Sequence, residues 1–411
     1  MRKHVAIRWL VLYLASMLLL NTSLAWYLRK EIASGYGDFA IFYTAARILA
    51  EEQAPRLYDS VMQFETQQQF APTVEGRQHG ALPYNHPPFE ALLFWPLAKL
   101  SYVAAYGVWT AANFGLLFGI AILLRREVVW LQGGATWLWW LAALAFFPVG
   151  VTLVQGQDTL WLLLFFVLAY RALRREAEFA AGCWLGLGLF RPQFVLPFVL
   201  LMALQRRWKF VEGFGMVGIA LGLISVATVG WSATRGYPEF VLSVDRSATG
   251  VTAPWGMPNL HGLVATIGSR LGISGEWVVV LTATLSVGML VAAIRRAARG
   301  SGDRFDLRFS LAVLVAVLVS YHALEHDLTL LLLPCVLVAN FVAGRELRLV
   351  NRAGLVAPML ALFFTPLYVW LSFQVRQTAL LTFVLLIWAA ALMREMRPIR
   401  VRENSVVARW E

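Results

Sequence analysis

The sequence predicts an all-α polytopic membrane protein with about 12 spans. Of its 411 residues, 59% are hydrophobic and only 14% are charged, and the mean hydropathy is +0.64. Long apolar runs recur along nearly the whole chain, and most of the 35 lysines and arginines fall in short clusters between them. This alternation is typical of helices that cross a lipid bilayer, because a helix satisfies its own backbone hydrogen bonds inside hydrocarbon.

The first apolar run covers about residues 9–28 and follows a basic N-terminal segment. A secretory signal peptide is the competing interpretation, since Ser23-Leu24-Ala25 resembles a cleavage site. The run is longer than a typical signal core, which favours an uncleaved membrane anchor. Basic residues before such an anchor predict a cytoplasmic N-terminus.

The longest stretch without a span, residues 29–100, is therefore predicted to lie outside. Its first helix begins at Asp38, and apolar residues at helical spacing from Phe39 to Leu49 predict an amphipathic helix lying along the membrane surface. The ordinary interpretation of Asp38 is a helix N-cap, and the alternative is a catalytic base. Pro87 and Pro88 precede a second short helix that ends near residue 100.

After this loop, apolar runs alternate with basic clusters, and the positive-inside rule places both termini in the cytoplasm. A second outer loop is predicted at 231–275 and a basic cytoplasmic tail at 394–411, so that residues 1–411 form one integral membrane domain. The other predicted spans are Ser101–Leu124, Thr136–Val154, Thr159–Tyr170, Phe179–Phe190, Phe194–Leu204, Phe210–Gly230, Trp277–Ile294, Leu307–Val319, Leu328–Ala343, Gly354–Phe373 and Thr378–Met393.

The net charge of +11 does not indicate a nucleic-acid-binding protein. The positive residues lie at the ends of apolar runs, where they set the orientation of a membrane protein. Cys183 and Cys335 lie in separate apolar segments, so they predict neither a disulfide framework nor a metal site.

Uncommon polar residues all fall on the outer side of this topology. Arg191 stands out because it lies between two short apolar stretches; a guanidinium there suits phosphate recognition, and a salt bridge to a carboxylate or snorkelling is the alternative. Asp158, His322 and His326 have an ordinary interpretation as residues at helix ends. Ionisable groups near membrane depth are usually functional, so we expect one outer cleft to collect the set. The set comprises Asp38, Asn85, His86, Gln155 to Asp158, Arg191, Asn259, His261, His322, His326 and Asp327.

Five segments occur in a recognisable order between about residues 38 and 334. They are GDFAIFYTAARILA, YNHPPFEALLFWPLAKLS, QGQDTLWLLL, AGCWLGLGLFRPQF and SYHALEHDLTLLLLP. This order resembles glycosyltransferase family 87, the integral-membrane, polyprenyl-phosphate-mannose-dependent mannosyltransferases of the C-type glycosyltransferase superfamily. The resemblance implies a C-type glycosyltransferase-like helical bundle that transfers a hexose, mannose by analogy, to a glycan or glycolipid acceptor at the outer face of the cell membrane.

By this resemblance Asp38 is the general base of an inverting transfer. Arg191 stands before a proline where the family often has lysine, so the positive charge is kept. No Asp-x-Asp pair follows Asp38, and neither a metal nor another cofactor is expected beside the polyprenyl-phosphate sugar. The residues expected to bind the donor phosphate or substrate are Arg191, His322, His326, Asp327, Gln157, Asp158, Asn85 and His86.

Two other classes of protein compete with this hypothesis. A transporter or flippase for a lipid-linked sugar would place its binding residues near the bilayer midplane, usually between two repeated halves. The polar residues here gather on one face, and the sequence contains no convincing internal repeat. A non-catalytic membrane assembly subunit is the third alternative, and turnover of a lipid-phosphate sugar distinguishes the enzyme from both.

Overall fold

The computed structural model describes residues 2–35, 37–71, 82–132, 136–246, 253–298, 304–345 and 347–396. Within these ranges the regular structure is helical throughout and contains no strand, which confirms the all-α prediction. The α-helices are α1 Arg2–Tyr27, α2 Arg29–Ala33, α3 Phe39–Ala50, α4 Ser60–Gln68, α5 Pro88–Phe94, α6 Tyr102–Leu124, α7 Val129–Gln132, α8 Thr136–Ala145, α9 Phe147–Gln155, α10 Thr159–Arg174, α11 Glu178–Gly186, α12 Pro192–Leu204, α13 Trp208–Arg246, α14 Leu260–Arg270, α15 Gly275–Ala298, α16 Phe305–Val319, α17 Leu332–Ala343, α18 Leu349–Phe363, α19 Thr365–Val369 and α20 Leu381–Glu395. Short 3₁₀ segments and one π-helical turn complete the helical structure: Ala54–Arg56, Trp95–Lys99, Leu187–Phe190, Pro254–Gly256, Glu325–Leu331, Thr378–Leu380 and the π turn Trp370–Val375.

Six stretches among the described residues are long and apolar enough to cross a membrane. The six are Ile7–Tyr27, Tyr102–Leu124, Trp208–Val244, Gly275–Ala297, Glu325–Ala343 and Thr378–Glu395. Two bent pairs, α8 with α9 at 72° and α18 with the helical segment after it at 62°, raise the number to eight. The structure therefore supports a polytopic membrane protein and does not confirm the predicted count of about 12.

The difference arises because several apolar runs form short helices inside the bundle. Helix α16 is the clearest example: its 15 residues are too few to span a bilayer, and residues from Leu307 to Leu318 are nearly all buried. It packs against α12, α15, α17 and α20. A helix that other helices cover on every side loses its amphipathic pattern, so its sequence looks like that of a span.

Helix breaks in the bundle leave backbone carbonyls that need hydrogen-bond donors. A side chain of α1 is one of these donors. Asn21 of α1 donates from Nδ2 to the carbonyl of Leu144, near the bend between α8 and α9, at 3.1 Å. Its Oδ1 accepts from the Thr365 hydroxyl, at the bend after α18, at 2.8 Å. One buried amide thus joins the first helix to both bent pairs, because unsatisfied polar groups are expensive in an apolar interior.

The helix that follows Asp38 forms as predicted, but it does not lie on a surface. Nine of the twelve residues of α3 are buried, and α4, α5 and the segment Trp95–Lys99 pack around it. Arg47, near its exposed end, pairs with Glu51 at 2.8 Å. The predicted amphipathic surface helix is instead largely buried, because other helices of the first loop pack around it.

The segment 231–275 is also more helical than a loop. Helix α13 continues past a kink at Gly230, where φ is 82° and ψ is 166°, and ends at Arg246, and α14 follows. Glycine permits this backbone conformation because it lacks a Cβ atom. The predicted cytoplasmic tail lies outside the described residues from position 397 onward, and so does part of the first loop, residues 72–81.

Candidate active site

One cavity of about 290 Å³ collects most of the polar residues that the sequence singled out. Asp158 and Asp327 lie behind its wall and contact Arg191. Asn259 and His261 are not among its lining residues; Asn259 instead caps α14 by accepting from the backbone N–H of Gly262 at 2.8 Å. The predicted residues that line the cavity are Asp38, Asn85, His86, Gln155, Gln157, Arg191, His322 and His326.

Asp38 precedes α3 but its side chain does not cap that helix. Its Oδ2 accepts a hydrogen bond from Nε2 of Gln157 at 2.8 Å. The carboxylate is half-buried and lines the cavity. The ordinary N-cap interpretation is therefore not realised, and the carboxylate faces the space where a substrate would bind.

The turn that carries Gln157 is held tightly against α3. Helix α9 ends at Gly156 in the left-handed conformation, with φ at 67°. A Cβ atom at this position would lie 2.7 Å from Cβ of Phe39, so only glycine fits. The carbonyl of Gly156 accepts from Nε1 of Trp109 at 2.9 Å. This tight turn brings the glutamines on both sides of Gly156 to the cavity.

Gln157 links Asp38 to Arg191. Its Oε1 accepts from Nη2 of Arg191, while its Nε2 donates to Asp38. A guanidinium can only donate, so the amide must turn its oxygen toward Arg191 and its NH₂ group toward Asp38. The positions of the carboxylate and the guanidinium are therefore coupled through one side chain.

Arg191 is buried and paired with two carboxylates, which is the salt-bridge alternative considered above. It precedes Pro192, whose fixed φ suits the first turn of α12. Its Nε and Nη2 contact Oδ1 of Asp158 at 2.9 and 2.5 Å. Its Nη1 lies 3.4 Å from Oδ1 of Asp327, a longer contact. The guanidinium also lines the cavity, so the ion pairs hold a positive charge beside the substrate space.

Asp158 is fully buried and its side chain does not cap α10, so the helix-end interpretation does not account for it. Burial alone would raise the pKa of its carboxyl group, but Arg191 and the other neighbouring groups together hold that pKa below its usual range. Asp327 does act as a cap: its Oδ2 accepts from the backbone N–H of Leu324 at 2.8 Å. Both carboxylates hold Arg191 in place.

The segment 82–87 has no regular structure, and side chains from elsewhere form hydrogen bonds with its backbone N–H and C=O groups. Gln67 and Gln63 accept from the backbone N–H groups of Leu82 and Tyr84, at 3.1 and 2.9 Å. The Tyr58 hydroxyl donates to the carbonyl of His86 at 2.7 Å. Because buried backbone groups need partners, these contacts fix the backbone that carries the His86 side chain.

Glu90 is a buried neighbour of His86 that the sequence analysis missed. Its Oε2 lies 2.7 Å from Nδ1 of His86. The spacing of four residues, with Glu90 in the first turn of α5, is the sequence signal that could have found it. The signal was weak because the two prolines between them obscure the start of the helix.

The histidine rings that line the cavity do not carry the positive charge that a simple phosphate site would need. Burial, with Arg191 adding to it, lowers the pKa of His86 to about 3, and burial lowers that of His322 to about 4. Both rings are therefore neutral at pH 7. Nδ1 of His326 lies 2.9 Å from Oε1 of Gln155, which orients this third ring.

Two tyrosines, Tyr237 and Tyr321, also line the cavity and were not predicted. The Tyr237 hydroxyl donates to the carbonyl of Asn85 at 3.4 Å, and the Tyr321 side chain is half exposed. Tyrosines near span ends usually anchor a protein at the membrane interface, and their sequence context does not separate that role from a site.

Comparison with known proteins supports one family. Residues 84–320 match the family model described as Glycosyltransferase family 87. No curated protein and no solved structure matches the chain. The matched region contains His86, Asp158 and Arg191, while Asp38 lies before it and His326 after it.

Proposed function

The chain belongs to glycosyltransferase family 87, and on this premise we propose a specific reaction for it. As a membrane glycosyltransferase, it would move a hexose from a polyprenyl-phosphate donor to a glycan or glycolipid acceptor. Asp38 would act as the general base, and the anomeric centre would be inverted. The observation that carries this proposal is the Asp38 carboxylate, which does not cap its helix and faces the same cavity as Arg191.

In the proposed step, a hydroxyl oxygen of the acceptor attacks the anomeric carbon of the donor sugar. The new C–O bond forms while the bond from that carbon to the phosphate oxygen breaks on the opposite side, which inverts the centre. The hydroxyl proton passes to Asp38, and the bonding electrons leave with the polyprenyl phosphate. A positioned carboxylate near the acceptor hydroxyl is sufficient as the base.

Arg191 is the proposed stabiliser of the leaving phosphate. Phosphate gains negative charge as the bond breaks, and a guanidinium already held by Asp158 and Gln157 needs no reorganisation to face it. The longer contact with Asp327 is the one that a phosphate oxygen would exchange most readily. An incoming phosphate would also favour the protonated form of His322, another histidine that lines the cavity.

No metal ion is proposed for this reaction, because Arg191 supplies positive charge beside the cavity. Mannose as the sugar follows from the family resemblance alone. The distribution of lysine and arginine supports a cytoplasmic location for both termini and an outward-facing cavity in the cell membrane.

The test is turnover by the purified protein with a synthetic short-chain polyprenyl-phosphate-mannose. Asp38→Asn should abolish transfer while the protein folds normally, because an amide keeps the shape of the side chain but has no basicity. Asp59→Asn is a matched control in the same loop. Asp59 caps α4 by accepting from two backbone N–H groups, so the control should transfer at the wild-type rate. Near wild-type turnover in Asp38→Asn would refute the role of Asp38.

A further inference from the structure

At the cavity wall lies a cluster of three buried side chains: His86, which lines the cavity, and Glu90 and Asp158 behind it. One nitrogen or oxygen atom of each lies within 4.8 Å of the others, a grouping that could hold a divalent cation. The neighbouring charge opposes that interpretation. Arg191 already contacts Oδ1 of Asp158 through two nitrogens, so a metal ion there would face a buried guanidinium.

The cluster instead contains more hydrogen-bond acceptors than donors. Oε1 of Glu90 and Oδ2 of Asp158 are both buried, and neither has a hydrogen-bond partner among the described residues. The two carboxyl groups are neighbours, because one oxygen of each lies within 4.8 Å of the other. If both were ionised, two negative oxygens would face each other without a donor, which is costly in an interior.

We propose that Glu90 is protonated and donates from Oε1 to Oδ2 of Asp158, so that it holds the His86 ring in a single tautomer. One proton satisfies both unpaired oxygens. Oε2 of the neutral acid then accepts from Nδ1–H of His86. A continuous series of hydrogen bonds then runs from His86 through Glu90 to Asp158 and Arg191. In this series Asp158 carries the one negative charge and Arg191 the one positive charge.

The environment of each group supports this assignment. Burial, and then the charge of Asp158, raise the pKa of Glu90 well above its usual range. Arg191 donates two hydrogen bonds to Oδ1 of Asp158. Asp158 is therefore a better site for the negative charge than Glu90. Burial keeps His86 neutral, as described above. Tyr58, Tyr84 and Tyr237 also lie near Glu90. Burial raises the pKa of the Tyr58 and Tyr84 hydroxyls, so both stay neutral too.

This arrangement gives the cavity one defined hydrogen-bond acceptor, Nε2 of His86. With its proton on Nδ1, a neutral His86 carries a lone pair on Nε2, the ring nitrogen left for the cavity that His86 lines. Such a nitrogen binds a hydroxyl donor and not an anion. On the proposed function, its ligand would be a hydroxyl group of the sugar or the acceptor. Glu90 is then a positioning residue that acts through His86.

Glu90→Gln is the decisive variant, because glutamine reproduces a protonated glutamic acid. Its carbonyl accepts from His86 and its NH₂ group donates to Asp158. We expect kcat/KM and thermal stability close to those of the wild type. Glu90→Leu removes both hydrogen bonds and leaves a buried oxygen of Asp158 unpaired, so its kcat/KM should fall about tenfold or more.

Two measurements are independent of turnover. Infrared difference spectra of the wild type at pH 7 should contain the carbonyl band of a protonated carboxylic acid that Glu90→Gln lacks. Spectra of ¹⁵N-histidine-labelled protein should show the Nδ1–H tautomer of His86 in the wild type and in Glu90→Gln, and a mixture of tautomers in Glu90→Leu. Both would stand even if the purified protein failed to use a polyprenyl-phosphate sugar, which would count against the proposed function alone.

Three results would overturn the proposal. The first is the absence of the protonated-acid band in the wild type. The second is damage in Glu90→Gln as large as in Glu90→Leu. The third is a requirement for added Mg²⁺, Mn²⁺ or Zn²⁺ whose apparent affinity weakens in Glu90→Gln, since that result would identify the cluster as a metal site.

Discussion

The two ends of α10 each carry an arginine–carboxylate cluster, and the clusters differ mainly in exposure. At the N-terminal end, Arg191 pairs with Asp158, and the side chains are 6% and 1% exposed. At the C-terminal end, Arg174 pairs with Asp306 at 3.0 Å, and the side chains are 38% and 18% exposed. The second pair is therefore partly exposed to solvent, and the first is almost completely buried.

This difference in exposure decides how much each cluster contributes to the stability of the fold. Arg174 also lies 3.5 Å from Glu127, and the Tyr170 hydroxyl donates to Asp306, so the exposed cluster has as many partners as the buried one. Exposed ion pairs are nevertheless worth little, because each charge keeps much of its hydration when the partner is lost. A buried charge has no such alternative, so its partners become indispensable. The buried cluster is also the one that faces the cavity.

The largest expected effect is that of Arg191→Gln. This change leaves Asp158 and Asp327 buried without their cation, and breaking such a pair costs about 3–5 kcal/mol of unfolding free energy. Chemical or thermal unfolding of the purified protein in detergent measures it. Adding Asp158→Asn in the same chain should recover part of the loss, because the double variant no longer contains that stranded charge.

The same variant separates the two roles of Arg191. Arg191→Lys keeps a charge but loses the two-nitrogen contact with Asp158, so its stability and donor affinity should be intermediate. Normal stability in Arg191→Gln would contradict the buried ion pair. A destabilised variant with unchanged donor kinetics would contradict the phosphate role and leave the structural one.

The next effect is expected for Gln157→Leu, which disconnects the buried cluster from Asp38. A hydrogen bond to a charged group is worth about 1.5–3 kcal/mol, so kcat/KM should fall roughly tenfold to a hundredfold. Gln157 donates to Oδ2 of Asp38 and so holds that carboxylate in position. Steady-state kinetics of the purified variant with the synthetic donor measures the loss.

Leu82→Ala provides the comparison for this variant, because Leu82 also lines the cavity but contributes an apolar side chain. That change should lower kcat/KM much less than Gln157→Leu does. An equal loss in both variants would show that the effect comes from the shape of the cavity and not from the contact with Asp38.

The smallest effect is expected for Arg174→Gln at the exposed end of α10. Its loss should cost less than about 1 kcal/mol, and the cost should shrink further at high salt because exposed charges are screened. Unfolding measured at low and at high ionic strength tests both statements. A loss equal to that of Arg191→Gln would remove exposure as the explanation for the difference between the two clusters.

Several features were readable from the sequence because they depend on local composition. Apolar runs and basic clusters predicted a helical membrane protein, and the ordered motifs indicated the family that the comparison then matched. The polar residues from Asp38 to His326 were singled out because such groups are rare among apolar runs, and the structure places most of them around one cavity.

Other features depended on contacts between distant segments. The predicted count of about 12 spans was not confirmed, because an apolar run has the same composition whether lipid or other helices cover it, as α16 shows. Glu90 was missed for a related reason: an acidic residue in a first helical turn usually faces water, and here the fold buries it beside Asp158.

The amino-acid sequence alone determined the class of the protein, the helical structure and the residues able to carry the chemistry, since hydropathy and side-chain type act without reference to distant residues. Only the tertiary structure decided which partner each polar residue has. Asp38 faces Gln157 instead of capping its helix, and Arg191 is held by Asp158. Burial sets the protonation of His86 and gives every unpaired oxygen a cost, and burial exists only once the helices have packed.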